Sequence, residues 1–283
     1  MIDEREGSRY VEVDGLKLHL HDIGDGPALV LLHGGGPGAS GWSNFKQNVP
    51  ALSKHFRVLV IDLLGYGHSD KPEFNEPYYT MSARALRGVL SALWIEKAHF
   101  IGNSLGGGTA IRLALDYPEC VGKLILMGPG GASPSLFTPE PTEGLKHLIH
   151  FYDDPGPSRD KMRNIVSTMV FDDSFVTDEL IRERYDAALA PGAREGTLRA
   201  LTSIASKSDP DDVQLWRHFG RLDKPVLLIW GRDDRTIPLD GAFLGLRQMP
   251  DARLYVIPKC GHWAQLEHRD TFDRLAIDFL TQA

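Results

Sequence analysis

The sequence contains few cysteines and lacks any long apolar run. Cys120 and Cys260 are the only cysteines in 283 residues, too few for a disulfide framework, and we expect both to remain reduced thiols. No apolar stretch approaches the roughly 18 residues that span a bilayer. The N-terminal residues 1–6, of which four are charged, have no apolar segment behind them, so we expect no signal peptide. These features predict a cytoplasmic protein that does not bind a membrane.

The sequence also has fewer basic than acidic residues. Lys and Arg number 31 against 38 Asp and Glu, giving a formal net charge of -7, which predicts that there is no nucleic-acid partner. The histidines and cysteines do not fall at metal-ligand spacings, and no phosphate loop or dinucleotide fingerprint follows a strand. We therefore expect no metal and no cofactor. The hydrophobic content of 42% and the charged content of 24% are ordinary for a globular protein with a substantial core.

Short apolar runs alternate with helical patterns along the chain. The runs are apolar throughout, as in strands that are buried on both faces of a parallel sheet. They are Ala28–Leu32, Arg57–Ile61, Ala98–Ile101, Lys123–Met127, Val226–Trp230 and Arg253–Ile257. The helical patterns are Met81–Leu93, Leu105–Tyr117, Gly241–Gln248 and Thr271–Leu280. This alternation predicts an α/β fold with a mostly parallel central sheet flanked by helices, preceded by an antiparallel hairpin over Tyr10–His21 that turns at Asp14-Gly15.

The middle of the chain departs from this alternation. No strand-like run stands out between about residues 135 and 208. The helical patterns there are Thr142–Phe151, Arg159–Val170, Thr177–Leu189 and Arg194–Ser206. We interpret residues 135–208 as a helical cap inserted into a core domain of residues 1–134 and 209–283, above the carboxyl ends of the strands, where it would enclose a site. A set of ordinary surface helices is the alternative.

The segment Gly102-Asn103-Ser104-Leu105-Gly106 fits the pattern G-x-S-x-G. A predicted strand precedes it and a predicted helix follows it, which is the context of the strained turn that carries the nucleophile in the α/β-hydrolase fold. Ser104 is therefore the candidate nucleophile, at a helix N-terminus that favours a developing negative charge. A glycine-rich packing turn with a passive serine is the alternative.

A second glycine-rich loop, His33-Gly34-Gly35-Gly36-Pro37-Gly38, follows the run Ala28–Leu32. Hydrolysis through a serine needs two backbone N–H donors for the oxyanion, one from the residue after the nucleophile, here Leu105, and one from such a loop. We assign the second donor to Gly35, and losing such a donor typically costs about 3 kcal/mol of transition-state stabilisation. A purely structural turn is the alternative, whereas a phosphate loop would need a Lys-Ser/Thr signature that is missing.

Two late strands are each followed by a candidate member of a catalytic triad. Asp234 comes after Val226–Trp230 and His262 after Arg253–Ile257, and the chain order Ser, Asp, His is the one found in this fold. His262 would act as the general base, and Asp234 would hold its tautomer. Asp233 is the rival acid. The rival bases among the 11 histidines are His33, His68, His99 and His268.

Several segments together carry a resemblance to a known family. They are His33-Gly34-Gly35-Gly36-Pro37-Gly38-Ala39, Gly41-Trp42-Ser43-Asn44-Phe45, Gly102-Asn103-Ser104-Leu105-Gly106-Gly107, Leu126-Met127-Gly128-Pro129-Gly130-Gly131, Trp230-Gly231-Arg232-Asp233-Asp234-Arg235 and Cys260-Gly261-His262-Trp263-Ala264-Gln265. In them, and over nearly its whole length, the chain resembles the meta-cleavage product hydrolases of the α/β-hydrolase superfamily, which break carbon–carbon bonds in bacterial aromatic and steroid catabolism.

The resemblance implies hydrolysis of a 2-hydroxy-6-oxo-hexa-2,4-dienoate to 2-hydroxypenta-2,4-dienoate and a carboxylic acid such as benzoate. It is closest to the subgroup that acts on phenyl-substituted or steroid-derived substrates, and this family tends to form homo-oligomers, here a dimer or tetramer. A carboxylesterase with the same triad is the alternative enzyme, and a non-catalytic binding protein is the alternative of another class. A haloalkane dehalogenase or an epoxide hydrolase is disfavoured, because both need a carboxylate where Ser104 stands.

The resemblance also implies a set of substrate-binding residues. Those that match the dienoate site are Gly34, Asn44, Asn103, Arg184 and Trp263. Those that match the pocket for the 6-substituent are Leu145, Leu148, Met169, Val170 and Ile237.

Arg184 can be singled out from the residues alone. It lies one turn from Leu180, Ile181, Ala187 and Ala188, on the apolar face of the predicted helix Thr177–Leu189. A buried arginine requires an anionic partner, because an unpaired buried charge is strongly destabilising. A substrate carboxylate, which a guanidinium can hold through two hydrogen bonds, is such a partner. An intramolecular pair with an acid of the core is the alternative.

Overall fold

A computed structural model of the protein describes residues 3–131, 134, 137–206 and 210–282. The strands are β1 Ser8–Val13, β2 Leu16–Ile23, β3 Ala28–Leu32, β4 Arg57–Ile61, β5 Ala98–Asn103, β6 Val121–Met127, β7 Val226–Gly231 and β8 Ala252–Ile257. They form one sheet in the order β1-β2-β4-β3-β5-β6-β7-β8. The β1/β2 and β2/β4 pairs are antiparallel, and the remaining pairs are parallel. The predicted strands, and the predicted mostly parallel sheet, are confirmed.

The first hairpin forms where the sequence predicts it. Val13 pairs with Leu16 across the turn, and the two turn residues, Asp14 and Gly15, have φ of 51° and 76°. Two successive residues with positive φ are typical of the type I′ turn, whose twist matches that of the strands it joins.

Helices cover both faces of the sheet. They are α1 Gly41–Phe45, α2 Val49–Leu52, α3 Tyr78–Ala92, α4 Leu105–Asp116, α5 Glu143–Ile149, α6 Arg159–Met169, α7 Asp178–Ala188, α8 Ala193–Ala205, α9 Pro210–Val213, α10 Asp240–Gln248, α11 Ala264–Glu267 and α12 Arg269–Thr281. Short 3-10 helices occupy Pro118–Cys120, Asp173–Phe175 and Leu215–Arg221. Within the described ranges, no helix combines the length and the apolar character needed to cross a bilayer.

Alternate side chains of the central strands enter two separate apolar clusters. In β3, Val30 and Leu32 belong to the cluster on the face of α3 and α4, whereas Leu29 and Leu31 belong to the cluster on the face of α1 and α12. All four side chains are fully buried. Each such burial contributes about 2 kcal/mol to stability, which explains why the strand is apolar at every position rather than at every second one.

Helices α5 to α8 lie between β6 and β7 in the chain. The helices predicted in this segment all form, each within about two residues of its predicted ends. The segment has an apolar cluster of its own, which includes Phe151, Met162, Ile165 and Ile181 and which Trp263 joins from the sheet side. Ser135 and Ser208, at the predicted ends of the cap, lie outside the described residues, so the limits of the cap stay a prediction.

The order of the strands brings distant segments together at one edge of the sheet. Because β3 pairs with β5, the loop after β3 lies beside Ser104, which follows β5. Strands β7 and β8 run parallel to them, so the loops that carry Asp234 and His262 emerge at the same edge.

Candidate active site

Ser104 occupies a sharp turn between β5 and α4. Its φ and ψ are 49° and -114°, a conformation that costs a non-glycine residue on the order of 1–3 kcal/mol. Close packing holds the turn in place, because a Cβ built on Gly106 would lie only 2.3 Å from the carbonyl oxygen of Leu32. The Ser104 N–H donates to the carbonyl of Met127 at 2.8 Å. The strand, turn and helix around Ser104 are therefore those that expose a nucleophile at the end of a sheet.

His262 and Asp234 form a buried pair. His262 Nδ1 lies 2.7 Å from Asp234 Oδ2, and both side chains are about 2% exposed. Asp234 Oδ1 accepts hydrogen bonds from the N–H groups of Thr236 and Ile237 at 2.8 and 2.9 Å. An ionised carboxylate only accepts, so Nδ1 is the donor and Nε2 of neutral His262 is left with its lone pair.

The imidazole of His262 lies at the cavity that Ser104 also lines. Nε2 is buried and has no hydrogen-bond partner among the described residues. His262 and Ser104 line the same small cavity, together with Gly34, Gly35, Asn44, Asn103, Leu148, Met169, Arg184 and Trp263. The structure thus gathers the serine, the histidine and the acid at one place, although Ser104 and His262 are 158 positions apart in the sequence.

The rival acid makes other contacts. Asp233 Oδ2 accepts from the N–H of Lys259 at 3.0 Å and pairs with Arg232 at 3.3 Å. Its carboxylate is therefore engaged on the far side of the turn, and the geometry favours Asp234 as the partner of His262.

The rival bases are engaged in structural contacts. His33 accepts from the Leu63 N–H through Nε2 at 3.0 Å and donates to the Gly34 carbonyl through Nδ1 at 2.7 Å. His99 Nδ1 accepts from the Lys123 N–H. The other two lie at the surface, His268 bonded to the Lys259 carbonyl and His68 packed edge-on against His19.

The loop after β3 lies directly against the serine turn. A Cβ on Gly34 would lie 3.3 Å from Ser104 Cβ, and one on Gly35 would lie 3.1 Å from Leu105 Cδ2. The Gly106 N–H donates to the His33 carbonyl at 3.0 Å and ties the loop to α4. The N–H groups of Gly35 and Leu105 donate to no other described residue, which leaves both amides able to bind an oxyanion.

Arg184 is a buried cation at the same cavity. Its residue is 3% exposed, its guanidinium lies 5.0 Å above the Trp263 ring, and Nη2 donates to the Pro37 carbonyl at 3.3 Å. Burial lowers the pKa of Arg184 to about 10, an effect that the charge of Glu183 partly offsets. The side chain therefore remains protonated at neutral pH.

The charge of Arg184 lacks a carboxylate partner in the described part of the chain. Its Nε makes no hydrogen bond there, and the adjacent Glu183 is paired with Lys46 at 2.8 Å. The intramolecular pair with a core acid, which the sequence left open, does not form among these residues. An anionic ligand would supply the missing partner.

Two asparagine side chains add polar groups to the cavity wall. Asn103 Nδ2 donates to the His262 and Met127 carbonyls at 3.3 and 3.4 Å, while its Oδ1 is buried with no partner among the described residues. Asn44 Oδ1 accepts from the Gly34 N–H at 3.5 Å and from Gln265 Nε2 at 3.4 Å. Such amide groups fix the orientation of a polar ligand.

The predicted apolar residues divide into two groups. Leu148 and Met169 line the cavity. Leu145 and Val170 share the apolar cluster of α5 to α7 with them but do not line the cavity, and Ile237 contacts Asp234 through its N–H. The cavity, whose lining includes Leu148, Met169 and Arg184, has a volume of about 10 Å³, which is room for only about one water molecule.

Other residues at the site escape sequence reasoning. Gln265 contacts Asn44, and Gly128 leaves room for the imidazole, since a Cβ there would lie 2.8 Å from His262 Cε1. Glu267 accepts a hydrogen bond from the Gly261 N–H. Gln265 and Gly128 lie in segments that carry the family resemblance, which gave them no role, and for Glu267 closeness in sequence to His262 is the signal that could have found it.

Comparison with known proteins agrees with this geometry. The family model described as the α/β-hydrolase fold matches residues 27–269. A 2-hydroxy-6-oxononadienedioate/2-hydroxy-6-oxononatrienedioate hydrolase of Comamonas testosteroni is 41% identical, over 99% of this chain and 98% of its own. A 2-hydroxy-6-oxo-6-phenylhexa-2,4-dienoate hydrolase of Burkholderia cepacia is also 41% identical, over 99% and 98%. The solved meta-cleavage product hydrolase of Pseudomonas fluorescens IP01 superposes with a TM-score of 0.83 at 35% identity, over 96% of this chain and 97% of the other.

The chain belongs to the meta-cleavage product hydrolases. The two curated relatives are named for substrates that differ beyond carbon 6, where one has a carboxylate-bearing chain and the other a phenyl group. In this meta-cleavage product hydrolase, the polar groups described above share one cavity with Ser104, and Leu148, Met169 and Trp263 bring the apolar cluster of α5 to α7 to the same cavity.

Replacing Asp234 should disable His262, whereas replacing its neighbour should not. In Asp234→Asn the amide no longer stabilises the imidazolium or enforces its tautomer, and we expect the rate at which a fluorophosphonate labels Ser104 to fall about 10³- to 10⁴-fold. Asp233→Asn is the matched control and should label within about twofold of wild type. Mass spectrometry of the Ser104 peptide gives both rates. Equal losses in the two variants would contradict this assignment of the acid.

Proposed function

We propose that this protein hydrolyses the carbon–carbon bond of a 2-hydroxy-6-oxo-hexa-2,4-dienoate with a phenyl or related bulky 6-substituent. The products are 2-hydroxypenta-2,4-dienoate and a carboxylic acid such as benzoate, and the reaction serves bacterial aromatic catabolism. The observation that carries the proposal is Arg184, a buried cation without a carboxylate partner among the described residues, on the cavity that Ser104 and His262 also line. A simple ester gives such a cation no role, so the carboxylate-bearing dienoate is favoured over a carboxylesterase substrate.

The residues around the cavity have complementary roles in this reaction. Carbon is a poor leaving group, so the dienol of the substrate must first become a ketone that can receive electrons. Arg184 binds the substrate carboxylate, and Asn44 and Asn103 hold the neighbouring oxygens. The N–H groups of Gly35 and Leu105 stabilise negative charge on the C6 oxygen. These groups stabilise the charged states more than the bound substrate, which is what accelerates the reaction.

We propose that bond cleavage proceeds through an acyl-enzyme. Ser104 Oγ attacks the C6 carbonyl while His262 Nε2 takes its proton, and Asp234 stabilises the imidazolium. The C5–C6 bond then breaks, its electrons pass through the C3=C4 bond to the C2 oxygen, and that oxygen takes up the proton held by His262, which gives 2-hydroxypenta-2,4-dienoate. Water, activated by His262, releases the acyl group from Ser104 as the carboxylic acid. The steps require no metal or cofactor, so chelation should leave dienoate hydrolysis unchanged.

The acyl-enzyme can be distinguished from direct attack by water. If Ser104 is acylated, acid quenching of the slowed Asp234→Asn variant during turnover of the 6-phenyl dienoate should add a benzoyl group to the Ser104 peptide. The same treatment of Ser104→Ala is the control. Repeated failure to detect the adduct while benzoate is still produced would favour a general-base route through a gem-diol, with Ser104 unmodified.

We also propose that residues 135–208 act as a cap over the core of residues 1–134 and 209–283. Leu145, Leu148, Met169, Val170 and Ile237 would form the substituent pocket once the cap moves. This is supported by the apolar cluster of α5 to α7, to which all of these except Ile237 belong. Because ligand sites usually occupy about 300–1,000 Å³, the cavity of about 10 Å³ must widen when a dienoate binds.

Removing Arg184 should separate the dienoate reaction from ester hydrolysis. The wild type should bleach a yellow dienoate, and Arg184→Ala should lower kcat/KM for it about 100-fold, because a charge-assisted pair with the carboxylate is lost. Its rate on p-nitrophenyl acetate, which carries no carboxylate, should stay within about threefold of wild type. Arg182→Ala, on the exposed face of the same helix, should change neither. Rapid ester turnover without bleaching by the wild type would favour the carboxylesterase.

We further propose that the enzyme is a cytoplasmic homo-oligomer, a dimer or tetramer. The two cysteines are buried free thiols, which suits a reducing compartment. Strand β8 is a terminal strand of the sheet, and the side chains of Phe243, Leu246 and Tyr255 on α10 and β8 are 39–54% exposed. Light scattering at micromolar concentration should give two or four times the chain mass of 31.4 kDa. A single chain mass would contradict the proposal.

A further inference from the structure

Glu267, the last residue of α11, lies where the loop of His262 meets the end of α6. Its Oε2 accepts a hydrogen bond from the Gly261 N–H at 2.6 Å. Its Oε1 accepts from the N–H groups of Phe171 and Asp172 at 2.6 and 3.2 Å. One carboxylate therefore bridges two backbone segments, of which the farther is 96 residues away in sequence.

The same two segments also bond to each other directly. The carbonyl of Met169 accepts from the N–H groups of His262 and Trp263 at 2.8 and 3.1 Å. Gly261 fits closely against this segment, since a Cβ there would lie 2.7 Å from the Met169 oxygen. The backbone is thus fastened at the residue before His262, at His262 itself and at the residue after it.

We propose that Glu267 is a positioning residue for the reaction. Through the Gly261 N–H it fixes the backbone from which His262 extends, and through Phe171 and Asp172 it ties that backbone to the end of α6, whose Met169 lines the cavity. The proposal rests on the proposed function, because it takes His262 as the base. Small displacements of a catalytic group lower rates steeply, by about 100-fold for 1 Å, so a residue that holds this loop affects kcat without touching the substrate.

The hydrogen bonds that Glu267 accepts from Gly261, Phe171 and Asp172 form a clamp between the two segments. This clamp depends on an ionised carboxylate. Glu267 must accept at both oxygens, and a protonated carboxyl group has one oxygen that becomes a donor. Burial raises the pKa of Glu267 above its ordinary value, and its three backbone hydrogen bonds partly offset this effect. The titratable groups that face it are His268, whose charge also lowers the pKa of Glu267, and Cys260, whose thiol pKa is raised by burial and then by Glu267. The thiol of Cys260 therefore stays neutral. The clamp should weaken as the pH falls through the pKa of Glu267, because the carboxylate then becomes protonated.

Glu267→Gln tests this role with little change in shape. The amide keeps one acceptor oxygen but replaces the other with a donor, so one of the two segments is released. We expect kcat for the dienoate to fall about 10- to 100-fold, with KM within about twofold of wild type. The ratio of wild-type to variant kcat should decrease as the pH is lowered, because the wild-type carboxyl group becomes protonated. Asp270→Asn is the matched control; Asp270 is an exposed carboxylate at the start of α12 and should have no effect.

A purely structural role predicts a different result. Glu267→Gln would then lower the melting temperature, but the folded variant would keep the wild-type kcat. Alternatively, kcat would be reduced by the same factor at every pH. Either outcome overturns the proposal. Should Glu267→Gln fail to fold, Glu267→Asp keeps the charge but shortens the reach, and wild-type kcat in that variant would also overturn it. Ser104→Ala is assayed in parallel. Full dienoate turnover by Ser104→Ala refutes the proposed function, whereas an inactive Ser104→Ala beside a fully active Glu267→Gln refutes only the positioning role.

Discussion

A hydrogen bond of 2.7 Å between His262 Nδ1 and Asp234 Oδ2 joins the ends of β8 and β7 in a place that water does not reach. Burying a carboxylate is unfavourable unless its lone pairs are satisfied. Here the N–H groups of Thr236 and Ile237 occupy the other oxygen, so the turn after β7 solvates the acid in place of water. Because this bond selects the tautomer, it determines that the reactive lone pair lies on Nε2. Ser104, the glycine-rich loop after β3 and the helices above the site line the same cavity as His262.

The turn at Ser104, in contrast, has an unfavourable backbone conformation that the packing around it must stabilise. Ser104 has a positive φ, which an isolated chain would relax. It is held because α4 lies so close to β3 that Gly106 has no room for a Cβ beside the Leu32 carbonyl. The sheet itself is stabilised by strands buried on both faces, so the strain is small compared with the packing that opposes it. The glycines of the motif are therefore a consequence of packing distance and not a chemical requirement of catalysis.

These two features also explain what the sequence could and could not predict. Strand and helix periodicity is local, and the motif around Ser104 is contiguous, so the fold and the serine turn follow from sequence alone. Asp233 and Asp234 are adjacent, so the sequence cannot decide which carboxylate contacts His262. The direction of the turn decides it, and the hydrogen bond from the Lys259 N–H to Asp233 helps to fix that direction. Whether Leu145, Val170 and Ile237 reach the cavity depends on how α5 to α7 pack over the sheet edge, which is a set of contacts between distant segments. The bond between Glu267 and Phe171 is likewise invisible without the fold.

The contacts of the helices above the site differ in strength, and this difference bears on how the cavity can widen. The end of α6 is fastened by short hydrogen bonds from the N–H groups of the His262 loop to the Met169 carbonyl and from the Phe171 N–H to Glu267. Helix α7 is held to α1 by the pair of Lys46 and Glu183, whose side chains are 35% and 40% exposed, and such pairs contribute at most about 1 kcal/mol. Its Arg184 additionally makes a single long bond to Pro37. If a carboxylate binds Arg184 as proposed, we expect this side chain and the exposed Lys46–Glu183 pair to shift before the end of α6 does, so that His262 stays in place.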